Sequence, residues 1–370
     1  MWYLLDNILF CAKIIVIKEI KDMSKFCVFC GKPPVDKNRE HIIPQWLIKY
    51  TERGKMPIVK VVEPDGTLKP KISYMNFTMP ACEACNEEFS QLEGLVKPIL
   101  LNILADKPVS AREISLFLEW MDKVRLGLRL SLVYLQNDLN QEPPHTFIKQ
   151  RTGYADRMLI IEKIKPQPGV RLAFPDTHTR FFKTAAQSFQ FIIDNYVFTN
   201  ASAPFIVSSK LGFPHATHME TLDAPNVLID NWMPGTERTR SPVFGNVFPA
   251  QDKMIVYQPI FKPFTEISYY DTDYVKSHSL DYNAGLGGIF YQRGKTNEVK
   301  YLEPDDKIAL NPQETKRDLK TILRGAYEIQ SQVLARAPKY NTSDARFNEY
   351  NNNLMKVDAM ELKMAIAAHR

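Results

Sequence analysis

The chain has 370 residues, of which 45% are hydrophobic and 24% charged, and its formal net charge is +5. These values exclude a disordered or fibrous chain, and the length leaves room for two or three domains with buried cores. The small positive excess permits nucleic-acid binding without demanding it.

Residues 8–17 are apolar but interrupted by Lys13. The run falls well short of the ~20 residues of a membrane-spanning helix, and it shows neither a basic leader nor a small-residue cleavage site, so no membrane partner is expected. Two readings of residues 1–22 stay open. They form an extra element on the core, or they precede a natural start at Met23; the second is favoured because Met23 stands directly ahead of the first cysteine motif.

Of five cysteines, four fall in two Cys-x-x-Cys pairs, Cys27 with Cys30 and Cys82 with Cys85, and Cys11 is left over. Paired spacing of this kind suits a metal held in a reducing compartment better than disulfides, so a cytoplasmic location is expected. Two such pairs complete the four-sulfur shell that zinc prefers, and a closed shell makes that zinc structural.

Along the chain, Gly31 and Pro33-Pro34 give the first knuckle its turn chemistry. Residues 38–43 read as a short strand stopped by Pro44, and residues 45–50 as a helical turn. Residues 58–62 and 68–75 read as a hairpin around Pro64-Asp65-Gly66. Strand alternation puts Glu40 and His41 on opposite faces, so aiming both at one ion needs an irregular strand end. Beyond Cys85, Phe89, Leu92, Val96 and Ile99 recur at helical spacing.

Residues 108–136 give the clearest long helix, opened by a Ser110/Glu113 capping box and striped by Ile114, Phe117, Leu118, Met121, Leu128 and Leu132. Leu116, Trp120, Leu126 and Leu130 lie off that stripe and predict cover on more than one side. Lys123, Arg125 and Arg129 read as a solvated or salt-bridged face in preference to a phosphate-facing strip.

Strand-like runs follow at 158–162, 170–174, 189–198, 205–208, 254–258, 267–270 and 289–292, and residues 234–249 lack periodicity and read as a loop. Residues 313–337 and 343–368 return to helical spacing. His215 and His218 read as surface-loop residues. Phe181, Phe182, Phe189, Phe191, Tyr196, Tyr269 and Tyr270 read as core in preference to a base-stacking surface.

Three segments together carry a resemblance: Cys27-Val28-Phe29-Cys30-Gly31, Arg39-Glu40-His41-Ile42-Ile43-Pro44, and Cys82-Glu83-Ala84-Cys85-Asn86 before a helix. Over about residues 25–100 the chain resembles the zinc-knuckle branch of the HNH endonucleases. The resemblance implies an α+β protein with an N-terminal zinc-braced ββα module. It implies one structural zinc on Cys27, Cys30, Cys82 and Cys85, His41 as general base, and a catalytic magnesium or manganese ion on Glu40 and Asn86. The substrate it implies is nucleic acid, double-stranded DNA in the first place.

Family members often carry aspartate before the histidine and histidine after the second knuckle, where this chain has Glu40 and Asn86; the amide is the weaker ligand. Asn86 reads alternatively as a helix cap. Asn76 is either a loop-fixing residue or an ordinary strand residue. Ser90 and Glu93 either join the site or lie on a solvated face. The expected division is an extension at 1–22, the nuclease module at 23–105, a long helix at 106–140, a β-rich recognition or accessory domain at 141–305, and C-terminal helices at 306–370. The alternatives are a non-catalytic, zinc-dependent nucleic-acid-binding protein and an RNA-directed nuclease.

Overall fold

The computed structural model describes residues 26–34, 36, 38–62, 68–135, 147–151, 155–166, 169–203, 205–221, 227–233, 253–261, 273–293, 298–336 and 345–369. The expectations for residues 1–22, for Cys11, for the Pro64-Asp65-Gly66 turn, for the 234–249 loop and for the 267–270 strand lie outside these residues.

The described residues open with a braced turn and the short strand β1 (Arg39–His41), followed by α1 (Gln45–Tyr50), the hairpin strands β2 (Pro57–Val62) and β3 (Leu68–Ser73), and a 3-10 turn at Tyr74–Asn76. Strand β4 (Thr78–Pro80) then returns antiparallel to β1, and the long helix α2 (Glu83–Leu104) follows. Pro44 ends β1 and stands at the N-cap of α1. Phe89, Val96, Ile99, Leu100 and Ile103 form the buried stripe of α2 that helical spacing predicts.

Strand β5 (Pro108–Ser110) leads into α3 (Ala111–Leu135) through the expected capping box. The Ser110 amide donates to Glu113 Oε2 at 2.7 Å, and the Glu113 amide donates to Ser110 Oγ at 3.3 Å. Both the stripe residues Ile114 and Phe117 and the off-stripe residues Trp120, Leu126 and Leu130 are buried, so α3 is covered on several sides.

After α4 (Ile148–Arg151) come β6 (Asp156–Lys163), β7 (Leu172–Ala173), α5 (Arg180–Ala185), the hairpin β8 (Ser188–Ile193) and β9 (Tyr196–Ala201), and the separate hairpin β10 (His215–Thr221) and β11 (Val227–Met233). Then follow β12 (Lys253–Pro259), α6 (Asp273–Ser277), the small pair β13 (Ser279–Asp281) and β14 (Leu286–Gly287), β15 (Ile289–Arg293), β16 (Lys300–Leu302), and β17 (Lys307–Ala309), which pairs with β5. Helices α7 (Leu319–Leu334) and α8 (Ala345–Ala368) close the chain. The described fold is thus mixed α and β, and no described helix is long and apolar enough to cross a membrane.

The central sheet has the order β16-β15-β12-β6-β9-β8-β7 and is antiparallel throughout. Its central strands carry apolar runs, residues 158–161 in β6 and 254–257 in β12, because both faces are covered. Leu159 and Ile161 join the core shared with α3, whereas Met158 and Ile160 join the core of Tyr327, Ile329 and Leu362 from α7 and α8. Phe117 meets Phe198 edge-on at 5.6 Å. Phe181, Phe182, Phe189, Phe191 and Tyr196 are buried, in keeping with the core reading.

Three details differ from expectation. The 189–198 run is the β8–β9 hairpin, turned at Asp194 with φ +50°. Residues 205–208 form a turn in which Phe205 adopts φ +54°. His215 and His218 stand on β10, not on a loop.

Asp156 explains the turn at 205–208. Its Oδ2 accepts from the Phe205 amide at 3.2 Å and from Ser208 Oγ at 2.9 Å, and its Oδ1 has no hydrogen-bond partner. Burial pushes its carboxyl up to about 8, against those two hydrogen bonds. The folded state therefore keeps a proton that the unfolded chain releases near pH ~4. With the folded pKa raised, this group's contribution is greatest below the unfolded value and declines as pH rises from about 4 to about 8. Asp156→Asn keeps the acceptor and removes the titration. Urea unfolding at several pH values is expected to show a shallower decline in the variant over that window, and an unchanged slope would refute the assignment.

Candidate metal centre and the ion cluster beside it

The first knuckle is a closed turn: the Cys27 amide donates to Lys32 O at 2.8 Å and the Gly31 amide to Cys27 O at 2.9 Å. Gly31 sits at φ +76°, and a Cβ there would meet the Phe147 ring at 2.2 Å, so both backbone and space require glycine. The Val28 amide ties the turn to Pro80 O at 2.9 Å, and the amides of Ile148 and Lys149 donate to Val28 O and Phe29 O at 3.2 and 2.9 Å. Phe29 stacks on Phe89 of α2 at 4.2 Å. The second knuckle opens α2, with Cys82 at the N-cap.

The sulfurs of Cys27, Cys30, Cys82 and Cys85 all lie within 4.8 Å of one another, and those of Cys30 and Cys82 are 3.9 Å apart. Four sulfurs at ~2.3 Å from a tetrahedral zinc stand roughly 3.8 Å apart. The four cysteines are close enough to bind a metal ion such as zinc, and the donor set is one that zinc favours. Among the described residues, no other group of three or more His, Cys, Asp or Glu side chains gathers its ligand atoms this way.

Burial and the neighbouring sulfurs push the Cys82 thiol up to about 12 and the Cys85 thiol up to about 11. Burial also opposes ionisation of Cys27, yet the amides of Cys82, Cys30 and Phe29 hold it below the ordinary thiol value. The cluster thus resists carrying four negative charges by itself, and a dication relieves that repulsion. Lys149, whose ammonium meets Glu88 at 2.5 Å, also faces Cys85 and offsets the net negative charge of a zinc–thiolate centre.

On β1, pairing is regular, with Glu40 opposite Met79 and His41 opposite Thr78, so the irregular end that would aim both side chains at one ion does not form. Glu40 is 7% exposed and meets the ammonium of Lys123 on α3, which also meets Glu93 Oε1 of α2 at 2.5 Å. Lys123 is fully buried. Burial works against its charge, but Glu93 and Glu40 outweigh that and raise its pKa. Burial raises the Glu93 carboxyl, with Lys123 opposing and Glu40 reinforcing the shift.

His41 turns the other way. Its Nε2 lies 3.1 Å from Met75 O and its Nδ1 lies 3.2 Å from Gln45 Nε2. A carbonyl only accepts, so this geometry puts the proton on Nε2 and leaves the Nδ1 lone pair to accept. Asn86 Nδ2 donates to Asn38 Oδ1 at 3.2 Å, and Asp36 Oδ2, not Asn86, accepts from the first helical amide, that of Glu83, at 3.1 Å. Asn76 ends the 3-10 turn, exposed, and Ser90 is exposed on α2. Among the described residues, the hydrogen bonds and ion pairs join none of Glu40, His41 and Asn86 to another.

No family model, curated protein or solved structure matches the chain. The candidate metal site stands on the geometry of its four cysteines.

Sequence reasoning missed Lys123 as the partner of Glu40 and Glu93. A signal was present: Trp120, Leu126 and Leu130 already predict cover on more than one side of α3, which leaves Lys123 little solvated face.

Two outcomes test the arrangement. Cys82→Ser is expected to lose bound zinc and to melt at a lower temperature, as metal analysis and thermal scans would show; full metal content in the variant would sink the four-sulfur assignment. Lys123→Met strands two carboxylates and is expected to lower stability by about 3–5 kcal/mol in urea titrations. Adding Glu40→Gln and Glu93→Gln should recover most of that loss.

Proposed function

We propose that residues 26–104 form an HNH-like nuclease module that hydrolyses phosphodiester bonds in nucleic acid, double-stranded DNA in the first place. The observation that carries this reading is the posture of His41. Its Nε2 is anchored on the Met75 carbonyl, which leaves Nδ1 as the basic atom at the end of β1. A neutral imidazole with one ring nitrogen unprotonated can take a proton from an attacking water as a general base. The four cysteines brace the strand pair and helix that hold it, as a structural zinc centre rather than a catalytic one.

In this reading Gln45 yields Nδ1 to the attacking water, and His41 takes its proton as the oxygen approaches phosphorus. A divalent cation such as magnesium or manganese, when bound, supplies charge to the leaving oxygen. The donors assigned to it, Glu40 and Asn86, are paired here with Lys123 and Asn38. Cation binding by those two side chains would require both to change partner. The β-rich part of the chain is the proposed substrate-positioning element.

The engagement of Glu40 by Lys123 favours a second reading, a zinc-dependent nucleic-acid-binding protein without turnover. Plasmid nicking separates the two. With magnesium or manganese, the wild type is expected to nick DNA, and His41→Ala to slow cleavage by ~100-fold or more while keeping its zinc and its fold. EDTA should stop the reaction. An RNA substrate assayed in parallel exposes an RNA-directed enzyme, and binding without cleavage under every metal would replace the nuclease by the binding module.

A further inference from the structure

Helix α8 buries one side and leaves the other bare. On the inner side Leu362 is fully buried, Asp358 takes Arg180 Nε at 3.0 Å, and Met355, Ala359 and Ile366 pack against the core beneath the sheet. On the outer side Tyr350, Val357, Met360 and Met364 are 58, 51, 63 and 63% exposed. Large apolar side chains rarely line up in solvent on a single helix face.

The spacing of this strip is that of a coiled-coil seam. Tyr350, Val357 and Met364 stand at seven-residue intervals, and Met360 fills the intermediate position between the last two. The seam is also centred: Tyr350 and Met364 lie equally far from Val357, in opposite directions. Beside it, Glu349 and Lys363 lie equally far from Lys356. A second copy running the other way therefore sets Tyr350 against Met364 and Glu349 against Lys363, at both ends of the crossing. Lys356, at the centre of that flank, has its ammonium turned onto Asn353 Oδ1 at 3.1 Å.

A parallel alignment lacks this match. It would face Lys356 with Glu361, whose Oε2 is already committed inward to the Arg180 amide at 2.8 Å. An isologous contact, in which one patch serves both partners, is the commonest way for a chain to close a dimer.

We propose that the outer seam of α8 is a homodimer interface, two copies crossing antiparallel about a twofold axis near Val357. The contact is independent of whether the N-terminal module cuts nucleic acid. It buries the apolar strip of each copy in the strip of the other and closes it at either end with a Glu349–Lys363 ion pair.

Sedimentation velocity of the full chain over a range of concentrations tests the proposal. A mass that doubles with concentration is expected, together with a monomer for Met360→Lys/Met364→Lys, whose positions are exposed and whose circular dichroism should match the wild type. Glu349→Lys alone and Lys363→Glu alone should each dimerise at least ~10-fold more weakly, since each places like charges at both ends. Mixed one to one, these two variants should form a heterodimer, because both end pairs become attractive. A monomer at every concentration overturns the proposal, as does a dimer indifferent to the double lysine variant. Failure of the mixed pair to associate better than either variant alone overturns the antiparallel crossing.

Discussion

Helix α3 carries charge into the interior on two sides, and a buried charge must find a partner or it unfolds its surroundings. Toward the N-terminal module, Lys123 meets Glu40 and Glu93. Toward the sheet, Asp122 binds Arg125 Nη2 at 3.0 Å and Arg157 Nε of β6 at 3.1 Å, and Arg125 reaches Asn200 of β9 at 2.6 Å. Apolar packing alone tolerates sliding, whereas these contacts have fixed reach and direction. They set α3 in register with β1 and α2 on one side and with β6 and β9 on the other. One continuous core from Phe26 to Leu310 is the result.

The four cysteines solve a different problem. Between the two knuckles lie short strands, a short helix and a hairpin, whose buried residues such as Ile42, Leu47 and Phe77 join the common core, but the knuckle ends themselves need further ties. The knuckle is instead held by backbone bonds to β4 and α4, by the Phe29–Phe89 stack and by the convergence of four sulfurs. A metal ion bound there would turn that convergence from electrostatic strain into a tie and fix the base of α2.

The paired cysteine spacing, the capping box before α3, the hairpin of β2 and β3 and the two C-terminal helices were legible in the sequence because each is encoded by neighbours in the chain. Other features were not. Glu40 and Lys123 are 83 residues apart, and nothing local announces that they meet. Residues 205–208 have the apolar look of a strand, but their conformation is set by the Asp156 carboxyl group and by a positive φ at Phe205, neither visible in a propensity. The alternation of Glu40 and His41 was legible; that the strand would remain regular at its end was not, since that depends on β4, reached only after the inserted hairpin.

That regularity divides the labour of β1. One face, through Glu40, is spent on joining the module to α3, where its carboxylate neutralises a lysine that has no access to water. The other face, through His41, meets a carbonyl and a side-chain amide, which orient the imidazole. A histidine serving packing alone would bury its ring among apolar side chains. Here the ring is half-buried, with its proton pinned at one nitrogen and the other held by Gln45, a flexible side chain that can be displaced. The two faces of β1 thus differ in what holds them: the Glu40 carboxylate is committed to a buried ammonium, whereas the His41 ring is tied only by neutral groups.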